Sequence, residues 1–241
     1  MTTRTHPHVS QYWAVVPAAG HGKRMHADRP KQYLPLLGRT VIEHTVGRLA
    51  SYPDIVGVVV AACLDDPYWE SCRFSSRVPI HRVTGGNERC QSVLNALNFL
   101  ADIAHEQDWV LVHDAARPCL RHTDIARLMV AVRVGAGGML GLPVSDTLKY
   151  CDSSNQVERT VSRDHLWRAL TPQMFRLGAL RRALADAAAQ HILVTDEASA
   201  MERTGVHPLM VEGSADNIKI THPQDLRLAE IFLQHQKAET A

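Results

Sequence analysis

Four short runs most constrain what this chain can fold into: WAVVP (Trp13–Pro17), IVGVVVAA (Ile55–Ala62), IHRV (Ile80–Val83) and WVLVH (Trp109–His113). They are rich in valine and isoleucine, and their apolar character is continuous rather than alternating. A strand with one face in water alternates; a strand covered on both faces does not. Helical repeats lie between the runs. Ile42, Thr45, Val46 and Leu49 share one face, as do Val93, Ala96, Leu97 and Leu100. Thr123 stands where it can cap a helix carrying Ile125, Leu128 and Met129. Strand then helix, repeated, predicts an α/β fold: an open, mostly parallel sheet flanked by helices. Ligands of such sheets sit beyond the C-terminal strand ends.

The alternation breaks between Gly137 and Phe175, a segment too long for a strand-to-helix loop. Within it DTLKYC and VERTVSR alternate apolar and polar residues around the turn-like DSSNQ. This predicts a projecting β-hairpin arm over about residues 144–172. A lone hairpin is marginal in water, so the arm is expected to pack on a second subunit or back on its own domain. Further on, a helix is expected over Leu177–Ala189 and a short one through DEASAMERTG, capped by Asp196 and stopped by Gly205. HPLMVEG and NIKI read as edge strands, and PQDLRLAEIFL as a closing helix with Pro223 at its start. The expected organisation is a polar, flexible arm over 1–11 and a single domain over 12–241.

Charge and cysteine usage narrow the function classes. Lys and Arg number 26 against 25 Asp and Glu, which gives no general reason to bind nucleic acid or membrane surfaces. No stretch of about 20 apolar residues exists to span a bilayer. The five scattered cysteines have no CxxC spacing, which argues against a disulfide framework or structural zinc and fits a reducing cytoplasm. The 14 histidines form no metal-binding array.

Positive charge is instead concentrated in loops. AAGHGKRM follows the first strand, and RPKQYL comes soon after. Two glycines one residue apart let backbone N–H groups turn toward an anion. Neither the GxxxxGK[ST] loop nor a full GxGxxG fingerprint is present, since Met25 holds the third glycine position. Arg24 suits two-pronged contact with phosphate oxygens, and Lys31 supplies a compact charge. TGGNERCQS follows the third strand. There Asn87 and Ser92 offer donors and acceptors for a base edge, or Asn87 caps the next helix. Arg89 at a helix start opposes the dipole and so points to an anionic partner. VHDAARP follows the fourth strand. Asp114 there can hold a ribose hydroxyl or Mg²⁺, or cap the next helix, and Arg117 can meet phosphate. Lys219, in an apolar pattern, calls for an anion.

Taken in order, PAAGHGKRM, RPKQYL, GGNERCQS, VHDAARP, DTLK, LWRALTPQ, TDEASAMER and VEGSADNIKIT resemble the 2-C-methyl-D-erythritol 4-phosphate cytidylyltransferases. The resemblance runs from about Trp13 to the end of the last helix. It implies a Rossmann-like domain, a β-arm swapped across a homodimer, and transfer of CMP from CTP to methylerythritol phosphate in non-mevalonate isoprenoid synthesis. CTP would be held by Ala18, Ala19, Gly20, Gly22, Arg24, Lys31, Gly86, Asn87 and Ser92, with Asp114 and Ala115 near the ribose and a Mg²⁺ or other divalent ion. Arg24 and Lys31 would stabilise the transition state. Arg163 and Lys219 would place methylerythritol phosphate, with Thr147, Arg117 and Thr171 as further contacts; Arg163 and Thr171 would come from the partner's arm. Asn87 stands where the family often has Asp, which keeps an acceptor but drops a charge. No second synthase domain follows, so the monofunctional form is expected. Neighbouring readings are a ribitol 5-phosphate cytidylyltransferase, a UTP- or GTP-using relative, and a silent nucleotide-binding regulator.

Overall fold

The computed structural model describes residues 8–20 and 28–239. In chain order its elements are β1 (Tyr12–Pro17), β2 (Pro35–Leu36), β3 (Arg39–Thr40), α1 (Val41–Ala50), β4 (Ile55–Ala62), β5 (Ile80–Thr84), α2 (Arg89–Ala101), β6 (Trp109–Val112), α3 (His122–Val132), β7 (Gly137–Pro143), β8 (Leu148–Cys151), β9 (Val157–Val161), β10 (Trp167–Arg176), α4 (Leu177–Ala189), α5 (Glu197–Glu202), β11 (Leu209–Glu212) and α6 (Pro223–Ala238). The main sheet runs β11-β7-β10-β6-β1-β4-β5. β5, β4, β1 and β6 are parallel, β10 is antiparallel to both neighbours, and β11 is parallel to β7.

Both sheet faces are covered, which is why the strands read as unbroken apolar runs. Ala14 and Val16 of β1 join Val58, Val60 and Leu111 in one core under α1 and α3, with Ile42, Leu49, Ile125 and Leu128. Trp13 and Val15 turn the other way, with Val59, Ala61, Val110 and Val112, under α2 and α4. Gly57 leaves room for the indole: a Cβ there would lie 2.4 Å from the Trp13 ring. α1 starts at a reciprocal cap between Thr40 and Glu43, which fixes where the first crossover helix leaves the loop.

The chain leaves β1 toward β4 and β5, then returns to place β6 on the other side of β1. A crevice therefore opens where the order reverses, at the C-terminal ends of β1 and β6.

Several expectations need correction. IHRV is not covered on both faces: β5 is an edge strand and half-buried. Thr123 lies inside α3, whose N-cap is Arg121 and has no side-chain cap. NIKI (217–220) forms no strand; one ladder-like bond, Ile220 N–H to Ala116 O at 2.9 Å, joins it to the neighbouring loop. Side chains hold that segment instead. Residues 8–11 of the expected arm are anchored: His8 Nε2 and Gln11 N–H meet Asp108 Oδ1 at 2.6 and 2.9 Å. The preceding residues lie outside the described ones.

The hairpin is present. β8 pairs antiparallel with β9, Leu148 opposite Val161, and Asp152 Oδ1 accepts the N–H groups of Ser154 and Gln156, both at 2.8 Å, to close the turn. Tyr150 and Val157 on it are 51% and 59% exposed. The arm ends earlier than expected, however. In β10, Trp167, Arg168 and Ala169 are exposed, but burial begins at Leu170 and Thr171 is inside the protein's own core.

Candidate active site

Three loops meet at the crevice: residues 18–20 after β1, 85–88 after β5 and 113–117 after β6. Together with the turn at Lys31 and the segment at Lys219 they enclose a cavity of about 330 Å³. The loop after β1 is held at both edges. Ala18 N–H donates to Ala61 O at 2.8 Å, and the buried Gln32 donates through Nε2 to Ala18 O and Gly20 O at 2.7 and 3.1 Å. Those two carbonyls are thereby satisfied within the protein. The second loop presses against the first: a Cβ on Gly85 would lie 2.5 Å from Ala19 Cβ, so this approach requires glycine. Ser92 Oγ accepts Gly86 N–H at 3.0 Å and shapes that loop from behind.

A chain of linked charges crosses the floor, with Asp114, Arg117 and Glu197 buried. Arg89 donates to Asp114 Oδ1 through Nε at 2.9 Å and to both oxygens of Glu197 through Nη1 and Nη2 at 2.6 and 3.1 Å. Lys219 Nζ meets Asp114 Oδ2 at 2.9 Å, and Arg117 Nε approaches the same oxygen at 3.5 Å. Burial alone would raise the Asp114 pKa, but the charges of Arg89, Lys219 and Arg117 outweigh it and hold the carboxyl far below the usual range. For Glu197 burial wins, and its pKa rises despite Arg89. Gln173 sets Glu197 in place, donating to Asp196 Oδ2 at 2.9 Å and accepting Ala198 N–H at 2.8 Å across the capped start of α5. Lys31 Nζ reaches Ile220 O at 2.9 Å, so the segment that carries Lys219 also positions Lys31.

Among the expected site residues, Ala18, Ala19, Gly20, Lys31, Gly86, Asn87, Arg89, Ser92, Asp114, Ala115 and Lys219 all line this one cavity. Gly22 and Arg24 lie outside the described residues. Arg117 and Thr171 are buried behind Asp114 and do not line it. Within this chain Thr171 is buried, in β10 beyond the β8–β9 hairpin. Thr147 and Arg163 stand exposed on the arm, where Arg163 Nη1 bonds Ser145 O. Neither Asn87 nor Asp114 caps a helix: the N-cap of α2 is Glu88, and α3 starts only at His122. The anions that Arg89 called for are the chain's own Asp114 and Glu197.

Sequence reasoning passed over Gln32, Glu88 and Thr221 in the lining and Glu197 behind it. Gln32 had a readable signal, a neutral polar residue within RPKQYL. The burial of Glu197 had none, because a charged residue in a helix's first turn reads as solvated.

The described residues do not fit a metal site of their own. No cluster of three or more His, Cys, Asp or Glu side chains suited to a metal exists among them. Asp114, the expected metal ligand, already faces three cations.

An α/β sheet with glycine loops and fixed cations gathered at its switch point has the layout of a nucleotidyltransferase. The comparisons with known proteins narrow that class. The family model for 2-C-methyl-D-erythritol 4-phosphate cytidylyltransferase matches residues 12–235. The enzyme of that name from Vibrio vulnificus strain YJ016 is 52% identical over 225 residues, covering 93% of this chain and 95% of the relative. Its namesake from Pseudomonas fluorescens strain Pf0-1 is 53% identical over 217 residues, covering 89% and 92%. Among solved structures, the Francisella tularensis cytidylyltransferase matches with a TM-score of 0.81 at 36% identity, covering 92% of this chain and 100% of that one. The chain belongs to the 2-C-methyl-D-erythritol 4-phosphate cytidylyltransferase family.

Proposed function

We propose that this chain transfers CMP from CTP to 2-C-methyl-D-erythritol 4-phosphate, giving 4-diphosphocytidyl-2-C-methyl-D-erythritol and pyrophosphate. The observation that carries the reading is the single cavity that brings both glycine loops together with Lys31, Arg89 and Lys219. A phosphate oxygen of the sugar phosphate attacks the α-phosphorus of CTP, the new P–O bond forms, and the bond to pyrophosphate breaks. That nucleophile is already an anion, so the reaction needs no strong general base. Positioning and charge neutralisation suffice. Lys31, with Arg24, meets the negative charge that grows at phosphorus. Lys219, anchored on Asp114, faces the incoming phosphate. Gly86, Asn87 and Ser92 form the base and ribose side. A divalent ion belongs to this reading as a companion of the nucleotide phosphates, not as a ligand of Asp114.

Thr147 and Arg163 lie on the exposed arm, which carries the exposed side chains of Tyr150 and Val157. This supports a homodimer in which the arm delivers Arg163 to the partner's cavity. No described helix is long and apolar enough to cross a membrane. All five cysteines are unpaired, which supports a cytoplasmic enzyme.

The test is pyrophosphate release from purified protein with CTP, methylerythritol phosphate and Mg²⁺. UTP, GTP and ribitol 5-phosphate serve as competing substrates. Release dependent on both CTP and methylerythritol phosphate supports the reading. Preference for ribitol phosphate or another nucleotide overturns it.

A further inference from the structure

One short turn carries three consecutive residues that face three different parts of the protein. Lys31–Tyr33 is a one-turn 3-10 helix between Pro30 and Leu34, and side chains on such a helix point about 120° apart. Lys31 lines the cavity and meets the Lys219 segment, with Nζ on Ile220 O at 2.9 Å. Gln32 holds the glycine loop through Ala18 O and Gly20 O. Tyr33 is 2% exposed, and its ring lies in the core under α1. No side chain caps this turn. A single turn has little stability of its own, so its orientation is set by what its side chains meet.

The phenol of Tyr33 ends on Asp66, in the loop after β4. Its hydroxyl donates to Asp66 Oδ2 at 2.5 Å, and Oδ1 accepts Tyr68 N–H at 3.0 Å. Burial, and after it this carboxylate, push the Tyr33 pKa far above its usual range, so the phenol remains a donor. The Tyr68 ring stacks on the Tyr33 ring with centroids 5.3 Å apart. The loop that bears Asp66 is itself fixed from β5, where Arg82 Nη2 donates to Cys63 O and Leu64 O, both at 2.8 Å. Neither Asp66 nor Tyr33 lines the cavity. Strands β4 and β5 thus hold the Lys31 turn by a chain of contacts outside it.

We propose that Asp66 is a positioning residue for Lys31. By fixing the Tyr33 phenol it fixes the rotation of the turn, and with it the place of the Lys31 ammonium in the cavity. It acts on the reaction through Lys31, not by contact with substrate. The proposal rests on the cytidylyltransferase reading, and turnover by the wild-type protein is the separate control for that reading.

Steady-state kinetics with CTP and methylerythritol phosphate test it in a short series of variants. Asp66→Ala removes the acceptor. Tyr33→Phe removes the donor and keeps the ring in the core, so it serves if the first variant does not fold. Each should lower kcat about 10-fold, the scale of one lost hydrogen bond to a charged group, with both KM values within about twofold of wild type. Asp66→Asn should recover, because its Oδ1 can accept Tyr68 N–H while Nδ2 donates to the phenol oxygen. In a Lys31→Ala background the Asp66→Ala loss should shrink to about twofold or less, because the group it positions is gone. A loss undiminished in that background overturns the proposal. Wild-type kcat in folded Tyr33→Phe overturns it as well.

Discussion

Replacing Asp114 with Asn tests the electrostatic account of the cavity floor most directly. The side chain keeps its shape and loses its charge. In the native protein the carboxylate is shared by Arg89, Lys219 and Arg117. These three cations do not lose equally. Arg89 keeps both oxygens of Glu197, and Lys219 is 39% exposed and turns to water. Arg117 is 8% exposed and has Asn217 O as its remaining partner, so it becomes an uncompensated buried charge. Removing one member of a buried pair costs about 3–5 kcal/mol; with two of the three cations relieved, the low end, about 3 kcal/mol, applies. For a chain of this length that corresponds to a Tm lowered by roughly 6–12 °C. Added pyrophosphate should then raise the Tm of Asp114→Asn more than that of the native protein, because Lys219, which lines the cavity and has lost its carboxylate partner, is left to meet the polyanion. The assay is thermal unfolding at pH 7 with and without pyrophosphate. A loss below about 1 kcal/mol, within the range of ordinary surface substitutions and small defects, would refute the reasoning. So would equal pyrophosphate effects in the two proteins.

Further expectations follow from the same geometry. Lys31→Ala and Arg24→Ala should each lower kcat by about 100-fold or more, the usual effect of removing one preorganised stabiliser, and near-normal steady-state turnover in both would contradict their roles. His113 has a folded pKa of about 4, below its ordinary 6.5, because burial excludes the charged form. Its contribution to stability is complete above pH 6.5 and is lost as the pH falls toward 4; the size is about 3 kcal/mol, to be read from urea midpoints at several pH values. A flat profile between pH 7 and 4.5 counts against a buried neutral imidazole. Arg163→Ala should mainly impair use of the sugar phosphate. Mixing it with inactive Arg24→Ala should restore activity if the arm is exchanged between protomers, and no recovery after verified subunit exchange refutes that arrangement.

Much of the fold was legible because strands covered on both faces leave a local signature. Ile55–Ala62 and Leu177–Ala189 have the same limits in the sequence pattern and in the structure. The hairpin was legible too, since DSSNQ carries its own turn chemistry in the Asp152 carboxylate. NIKI misled because apolar residues spaced by two also suit an irregular segment pinned by side chains. There Ile220 packs in the small core beneath α6 while Asn217 and Lys219 are held by polar contacts.

The sequence by itself determined the α/β class, the loops that bear the chemistry and the residue types in them, because each depends on periodicity or on neighbours within a few positions. Only the tertiary structure decided what each charge faces. Arg89 and Glu197 are 108 residues apart and share two hydrogen bonds. Thr171 and His113 are 58 residues apart, and the fold buries the threonine hydroxyl between His113 and the Asp114 main chain. Pairings of this kind are set by where the sheet brings strand ends together, and burial then gives them their energy. Neither is written in the local sequence.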